Sequence, residues 1–264
     1  MNRIEEKMTA LKNEGRKAFI TYTTAGLPDM ETTKKIMFAQ QEAGIDVMEL
    51  GIPFSDPVAD GPVIQAASYE AIQKGATLTK IFTLMKEVRK EGLTTPVVFM
   101  MYYNTVYHYG LEEFVKKCAE CGVDGLIIPD LPYEEQKEIN AVLAENEAAP
   151  ILIQLVSPVS KQRIPMIVNN ARGFVYCVSQ MGVTGNGANF HKQIREYLLE
   201  VKKNSPVPVM MGFGIRTAGD VEPLEDIIDG AIVGSHFITL MKENNYDENV
   251  IKEYISSFKK EMNE

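Results

Sequence analysis

No stretch of the chain approaches the roughly 18 consecutive apolar residues of a membrane span. The opening residues, MNRIEEKMTALKNEGRK, hold no apolar signal core. Cysteine is scarce: Cys118, Cys121 and Cys177 are the only three in 264 residues. A small odd number fits a reducing compartment better than a disulfide scaffold, so a cytoplasmic protein is expected. Histidine is equally sparse. His108, His191 and His236 are scattered without metal-ligand spacing, so no metal is expected. Basic residues are outnumbered, 27 Lys and Arg against 36 Asp and Glu, for a formal net charge of −9. That balance argues against general affinity for nucleic acid or anionic membrane. Linkers and low-complexity tracts are also missing, which leaves one domain over 1–264 as the simplest organisation. Cys118 and Cys121 form a CxxC pair late in a helical pattern, just before a strand. With no second pair or nearby histidine, they read as packing residues.

What is present is a rhythm of short apolar, β-branched runs. Eight are strand candidates: 18–23 (AFITYT), 46–50, 97–101, 125–128, 151–155, 174–178, 207–211 and 230–233. Helical patterns fill the gaps, for example at 33–43, 111–121, 133–146 and 190–203. The N-terminal stretch adds one more helical pattern ahead of the first strand. Continuous apolar strands between helices indicate a parallel sheet buried on both faces. Eight such units in about 250 residues predict an α/β protein of the closed (β/α)8 TIM-barrel type. An open doubly wound sheet is the competing architecture. It usually carries a glycine-rich dinucleotide turn after its first strand, and here that strand ends in Thr23-Thr24-Ala25-Gly26.

Two segments are too long for simple turns. One is 51–62, GIPFSDPVADGP. The other is 179–189, SQMGVTGNGAN. In a barrel both belong to the face at the C-terminal ends of the strands, where lids and partner surfaces are built. The seventh strand candidate runs into Gly212-Phe213-Gly214-Ile215 and the eighth into Gly234-Ser235-His236. Glycines there let the backbone approach a ligand, and amides at a helix start favour an anion. Either these glycines only make tight turns, or they form the phosphate site that barrels build after strands seven and eight. Their position at those two strand ends favours a phosphomonoester.

Glu49 stands inside an otherwise apolar run, VMELGIP. It either points into the barrel mouth with a raised pKa, suited to acid–base work, or joins a salt bridge at the rim. Asp56 and Asp60 follow in the loop, and for each the alternative is turn-making or helix capping. Asp60 stands where it would cap a helix beginning near Pro62. Tyr22, Tyr102, Tyr103 and Tyr176 mark other strand ends. They either wall a pocket for a flat apolar substrate or pack as ordinary barrel side chains. No lysine sits at a strand end, which disfavours Schiff-base chemistry. Carbon–carbon cleavage at this site would have to run on carboxylates.

The string ELGIPFSDPVADGP from Glu49 to Pro62 closely resembles the signature of tryptophan synthase alpha subunits. The resemblance continues through Gln65-Ala66-Ala67, Met101-Tyr102 with Asn104, and Pro129-Asp130-Leu131-Pro132. It extends to Gly182-Val183-Thr184-Gly185, Gly212-Phe213-Gly214-Ile215 and Gly234-Ser235, covering essentially the whole chain in order. It implies retro-aldol cleavage of indole-3-glycerol phosphate to indole and glyceraldehyde 3-phosphate. By this resemblance Glu49 is the main acid–base residue and Asp60 holds the indole N–H. Tyr22, Tyr102 and Tyr176 match the pocket, and Thr184 a lid position at the substrate. Gly185, Phe213, Gly214, Gly234 and Ser235 match phosphate-contacting positions. Pro53, Asp56, Pro57, Asn104, Asp130 and Pro132 match the surface facing a beta subunit. That subunit carries pyridoxal phosphate within an alpha2beta2 assembly, and the alpha chain itself carries no cofactor. The chain departs from the pattern in two places. Tyr22 stands where the family commonly has phenylalanine, and the segment Asn186-Gly187-Ala188-Asn189 lacks an arginine often found there. The alternatives are a free-standing lyase that releases indole, a non-catalytic allosteric partner, and a phosphosugar barrel such as a phosphoribosyl isomerase. The presence of both Glu49 and Asp60 argues against the non-catalytic one.

Overall fold

Among the described residues nine parallel strands are interleaved with helices: β1 (Ala18–Thr24), β2 (Val47–Gly51), β3 (Val97–Met100), β4 (Gly125–Ile127), β5 (Ile151–Leu152), β6 (Gln154–Val156), β7 (Val175–Val178), β8 (Val209–Gly212) and β9 (Gly230–Val233). The computed structural model describes residues 1–178, 188–212 and 214–264, with side chains outside 188–192. The strands hydrogen-bond in the order β5-β4-β3-β2-β1-β9-β8-β7-β6. β5 and β6 are separated only by Ile153, whose N–H still donates to Leu126 O of β4 at 2.9 Å. They are halves of one strand, and the sheet therefore closes on itself as a (β/α)8 TIM barrel. All eight strands expected from the apolar runs are present. The long segment at 179–187 lies outside the described residues.

Side chains along each strand alternate between barrel interior and outer helix layer. Ile20, Val47, Val98, Ile127, Ile151, Ile153, Phe174, Met210 and Ile232 form the interior cluster. Leu50, Phe99, Leu126, Val175 and Ala231 face outward, packing in the cluster that includes Ile36, Phe82, Phe114 and Phe237. Helix Arg3–Glu14 closes the lower end by inserting Ile4, Met8 and Leu11 into the interior cluster. Asn2 starts it with a capping box, in which its side chain accepts from Ile4 N and Glu5 reaches back to Asn2 N. Gly15, at φ 66°, ends it in the left-handed conformation that favours glycine.

Three aspartates fasten the lower rim. Asp46 precedes β2 and accepts from Phe19 N of β1 at 2.9 Å; Asp124 precedes β4 and accepts from Val97 N of β3 at 2.8 Å; Asp229 precedes β9 and accepts from Val209 N of β8 at 2.8 Å. Each is also salt-bridged, to Lys259, to Arg89 with Arg3, and to Lys202 respectively. This arrangement explains two boundary differences. β2 begins at Val47 because the Asp46 side chain acts as a staple. β8 begins at Val209 because Pro208 has no N–H to pair. The helix expected over 133–146 is divided into a 3-10 turn, Tyr133–Glu135, and helix Lys137–Ala144. The break falls at Gln136, whose buried amide donates to Leu131 O and accepts from Gln154 Nε2.

Candidate active site

The candidate site lies at the C-terminal ends of the strands. By alternation from Ile20 and Val47, Tyr22 and Glu49 both face the barrel interior, one layer above the apolar cluster. They are direct register partners between β1 and β2. Glu49 is only 2% exposed, and among the described residues neither carboxyl oxygen has a hydrogen-bond partner. Burial pushes its pKa up to about 8, and the nearby Asp60 charge adds to the rise. An ionised carboxylate in that position costs several kcal/mol, so Glu49 holds its proton at neutral pH. Among the described residues, Glu49 forms no rim salt bridge of the kind the sequence left open.

Asp60 lies on the loop after β2. Its Oδ2 accepts from the Tyr102 hydroxyl at 3.0 Å, and that hydroxyl in turn accepts from Ala59 N at 3.0 Å. Gln65 Nε2 donates to Asp60 O at 2.8 Å, and the Phe54 ring stacks on Tyr102 at 5.1 Å between centroids. Burial raises the pKa of Asp60, while the Tyr102 hydrogen bond opposes the rise. Asp60 is therefore not the cap of the next helix. Helix Pro62–Gln73 is capped by Gly61 without a side-chain hydrogen bond.

Two tyrosine rings lie across glycines at strand ends. A Cβ on Gly51 would overlap the Tyr22 hydroxyl and ring, with Cε2 at 2.6 Å; one on Gly212 would lie 2.5 Å from the Tyr176 hydroxyl. The Tyr22 phenol is raised by burial first, then by the Asp60 and Glu49 charges. Tyr176 responds to burial and then to the same two acids. Tyr22, Glu49, Asp60, Tyr102 and Tyr176 thus share one electrostatic neighbourhood. Tyr103 is not part of it: its phenol feels Glu138 and Tyr107.

The anion end adjoins this cluster. A Cβ on Gly234 would lie 3.7 Å from Tyr22 Cβ, so the start of helix Ser235–Glu243 borders the pocket. Free amides of that first turn favour an anion. His236, in the same turn, is held below its ordinary pKa by burial and then by the Arg216 guanidinium. A cation therefore stands close by. Gly214 adopts φ 67°, a conformation that favours glycine. Phe213, Thr184 and Gly185 lie outside the described residues.

The remaining residues singled out by sequence sit on the segments following β2, β3 and β4. Asp56, Asn104, Asp130 and Pro132 are exposed, and Pro53 and Pro57 are half-buried. Asp130 also has a local role, its Oδ1 accepting from Tyr103 N at 2.8 Å to start helix Tyr103–Tyr109. Gly51 and Gly212 as seats for these rings, and Thr24 and Phe54 as borders of the site, were not read from the sequence, which marked Gly212 only for the phosphate end. Only cross-strand register reveals the first two, because the ring each glycine admits comes from the neighbouring strand.

A parallel barrel with a neutral buried carboxyl, a phenol-held second carboxyl and a helix start at its mouth is an enzyme fold equipped for acid–base chemistry on an anionic substrate. The family model for the tryptophan synthase alpha chain matches residues 8–264. The tryptophan synthase alpha chain of Lachnospira eligens is 75% identical over 263 residues, covering 100% of each chain. The crystal structure of tryptophan synthase subunit alpha from Legionella pneumophila superposes with a TM-score of 0.89 at 33% identity, covering 99% of this chain and 98% of that one. An aminoacrylate-bound form of tryptophan synthase from M. tuberculosis contains a chain that matches with a TM-score of 0.86 at 29% identity, covering 99% of this chain and 100% of that one. The chain belongs to the tryptophan synthase alpha chain family. It is a carbon–carbon lyase of tryptophan biosynthesis that cleaves indole-3-glycerol phosphate.

Proposed function

We propose that Glu49 and Asp60 carry this cleavage as a pair with divided roles. The observation behind the proposal is the buried Glu49 carboxyl, without a hydrogen-bond partner among the described residues, near an Asp60 already held by Tyr102. Glu49 donates its proton to indole C3, which turns the ring into a cationic iminium. The Asp60 carboxylate accepts from the indole N–H and stabilises that charge. The Glu49 carboxylate then takes the proton of the hydroxyl on the glycerol carbon bonded to indole C3. The carbon–carbon bond breaks, its electron pair neutralises the iminium, and the hydroxyl carbon becomes the aldehyde of glyceraldehyde 3-phosphate. Glu49 ends as it began, protonated. The amides at Gly234 and Ser235, with those of Gly214, Phe213 and Gly185, seat the phosphate and so fix the reacting carbon against Glu49. Tyr22, Tyr102, Tyr176 and Thr184 surround the indole.

The partner in this proposal is a beta subunit carrying pyridoxal phosphate, docked on the face holding Pro53, Asp56, Pro57, Asn104, Asp130 and Pro132 in an alpha2beta2 assembly. Four of the six are exposed, and Val58 on the same loop is 83% exposed. Indole is apolar, so a partner that accepts it directly prevents its loss. We further place the chain in the cytoplasm as a single domain. Indole release from indole-3-glycerol phosphate, measured with and without a beta subunit, tests the proposal. A large gain in rate on adding the partner is expected. High activity that is indifferent to the partner would identify a free-standing lyase instead.

A further inference from the structure

The Tyr22 side chain makes one hydrogen bond among the described residues: its hydroxyl oxygen accepts from Thr24 Oγ1 at 3.5 Å. That leaves the phenol proton uncommitted in a residue only 4% exposed. A buried donor without an acceptor costs free energy until one is supplied. The ring is held in place. Its stem borders Gly234 at the anion end, and its hydroxyl occupies the side-chain space that Gly51 leaves empty, two residues beyond Glu49 on the same face of β2. The hydroxyl thus stands on the mouth side of Glu49, at the end of the ring away from Gly234. Asp60 is the charge it feels most strongly, ahead of Glu49. Asp60 in turn has one oxygen bonded, Oδ2 to Tyr102, and Oδ1 carries no hydrogen bond among the described residues.

We infer that Tyr22 is a positioning residue for the cleavage, its hydroxyl donating to Asp60 Oδ1 when the loop 51–62 seats on substrate. Asp60 is then gripped by two phenols, Tyr102 on one oxygen and Tyr22 on the other. Its remaining lone pairs point at the indole N–H, and two donors keep it ionised. Phenylalanine at position 22 would fill the same space without supplying the proton. The inference rests on the role proposed for Asp60, and it adds a residue that acts through Asp60 without touching the reacting atoms.

Tyr22→Phe keeps the ring and tests the hydroxyl alone. In the full chain, kcat for indole release is expected to fall roughly tenfold to a hundredfold, the rate equivalent of a hydrogen bond to a charged group. The acid limb of the pH profile moves to higher pH, because losing a donor raises the pKa of Asp60. Affinity for glyceraldehyde 3-phosphate stays unchanged. Indole-3-propanol phosphate, which cannot be cleaved, provides a thermodynamic cycle. Tyr22→Phe should weaken its binding when Asp60 is present and have no effect in an Asp60→Asn background. An unchanged kcat and acid limb, or an equal loss of binding in both backgrounds, overturns the inference. Absence of indole release by the unsubstituted chain would strike at the cleavage proposal instead, and the binding cycle would still decide the role of Tyr22.

Discussion

At the residue scale, Glu49 is a carboxyl that burial holds protonated above its ordinary range. Glu49→Gln is expected to lower indole release by at least about a hundredfold, since general acid–base groups supply that much or more. Binding of glyceraldehyde 3-phosphate should persist. The same substitution has a signature in stability. The folded pKa of Glu49, about 8, lies above its ordinary 4.5. The folded state therefore binds this proton more tightly than the unfolded chain does. The associated stability is complete below about pH 4.5 and is lost as pH rises through about 8. Glu49→Gln should melt close to the parent at pH 4.5 and about 3 °C or more above it at pH 9, the scale of a 1 kcal/mol change in a chain of this size. A gap independent of pH would rule out the buried, protonated carboxyl. Tyr102→Phe removes the donor on Asp60 and the acceptor for Ala59 N, and should cost about tenfold in kcat or more. Glu49 was legible in the sequence because an ionisable residue interrupts an apolar strand. The role of Tyr102 was not, because its two hydrogen bonds reach residues more than forty positions away.

At the scale of elements, the strands were legible and their joins were not. Parallel barrel strands are covered on both faces, so they appear as unbroken apolar runs. The division of the fifth run at Ile153, and the three aspartate staples, depend on which strand lies alongside. Asp124→Ala tests a staple. It removes the acceptor for Val97 N and strands Arg89, which is 11% exposed and hydrogen-bonded to three nearby carbonyls as well. A loss of about 3–5 kcal/mol by denaturant unfolding is expected. Activity at 25 °C should persist in the folded fraction, because this rim is at the opposite end from the acids. Gly51→Ala is the counterpart at the mouth. Its Cβ overlaps the Tyr22 ring, so the ring must leave the acid pair. Here kcat/KM should fall by about a hundredfold, with a smaller loss of stability than Asp124→Ala causes.

At the scale of the whole molecule, chemistry and cohesion occupy opposite ends of one barrel. The upper layer holds Glu49, Tyr22 and Tyr176 with two glycines, an arrangement that leaves the Glu49 oxygens without hydrogen-bond partners among the described residues and seats each ring where a glycine lacks a side chain. The lower layer is aliphatic, and helix Arg3–Glu14 seals it. Ile4, fully buried, is the deepest contact: its Cδ1 would be 2.9 Å from a Cβ on Gly125, and its Cγ2 3.1 Å from one on Gly173. The barrel floor is therefore shaped to take that side chain. Ile4→Ala leaves a cavity that neighbouring strands cannot collapse into, and the expected cost is about 2–5 kcal/mol. For a chain of this length that corresponds to a melting point lower by roughly 5–15 °C. Because the interior cluster separates Ile4 from Glu49, kcat and KM measured well below the melting point should stay within about twofold of the parent. A selective loss of kcat in Ile4→Ala, with the melting point unmoved, would mean that the floor sets the geometry of the acid pair.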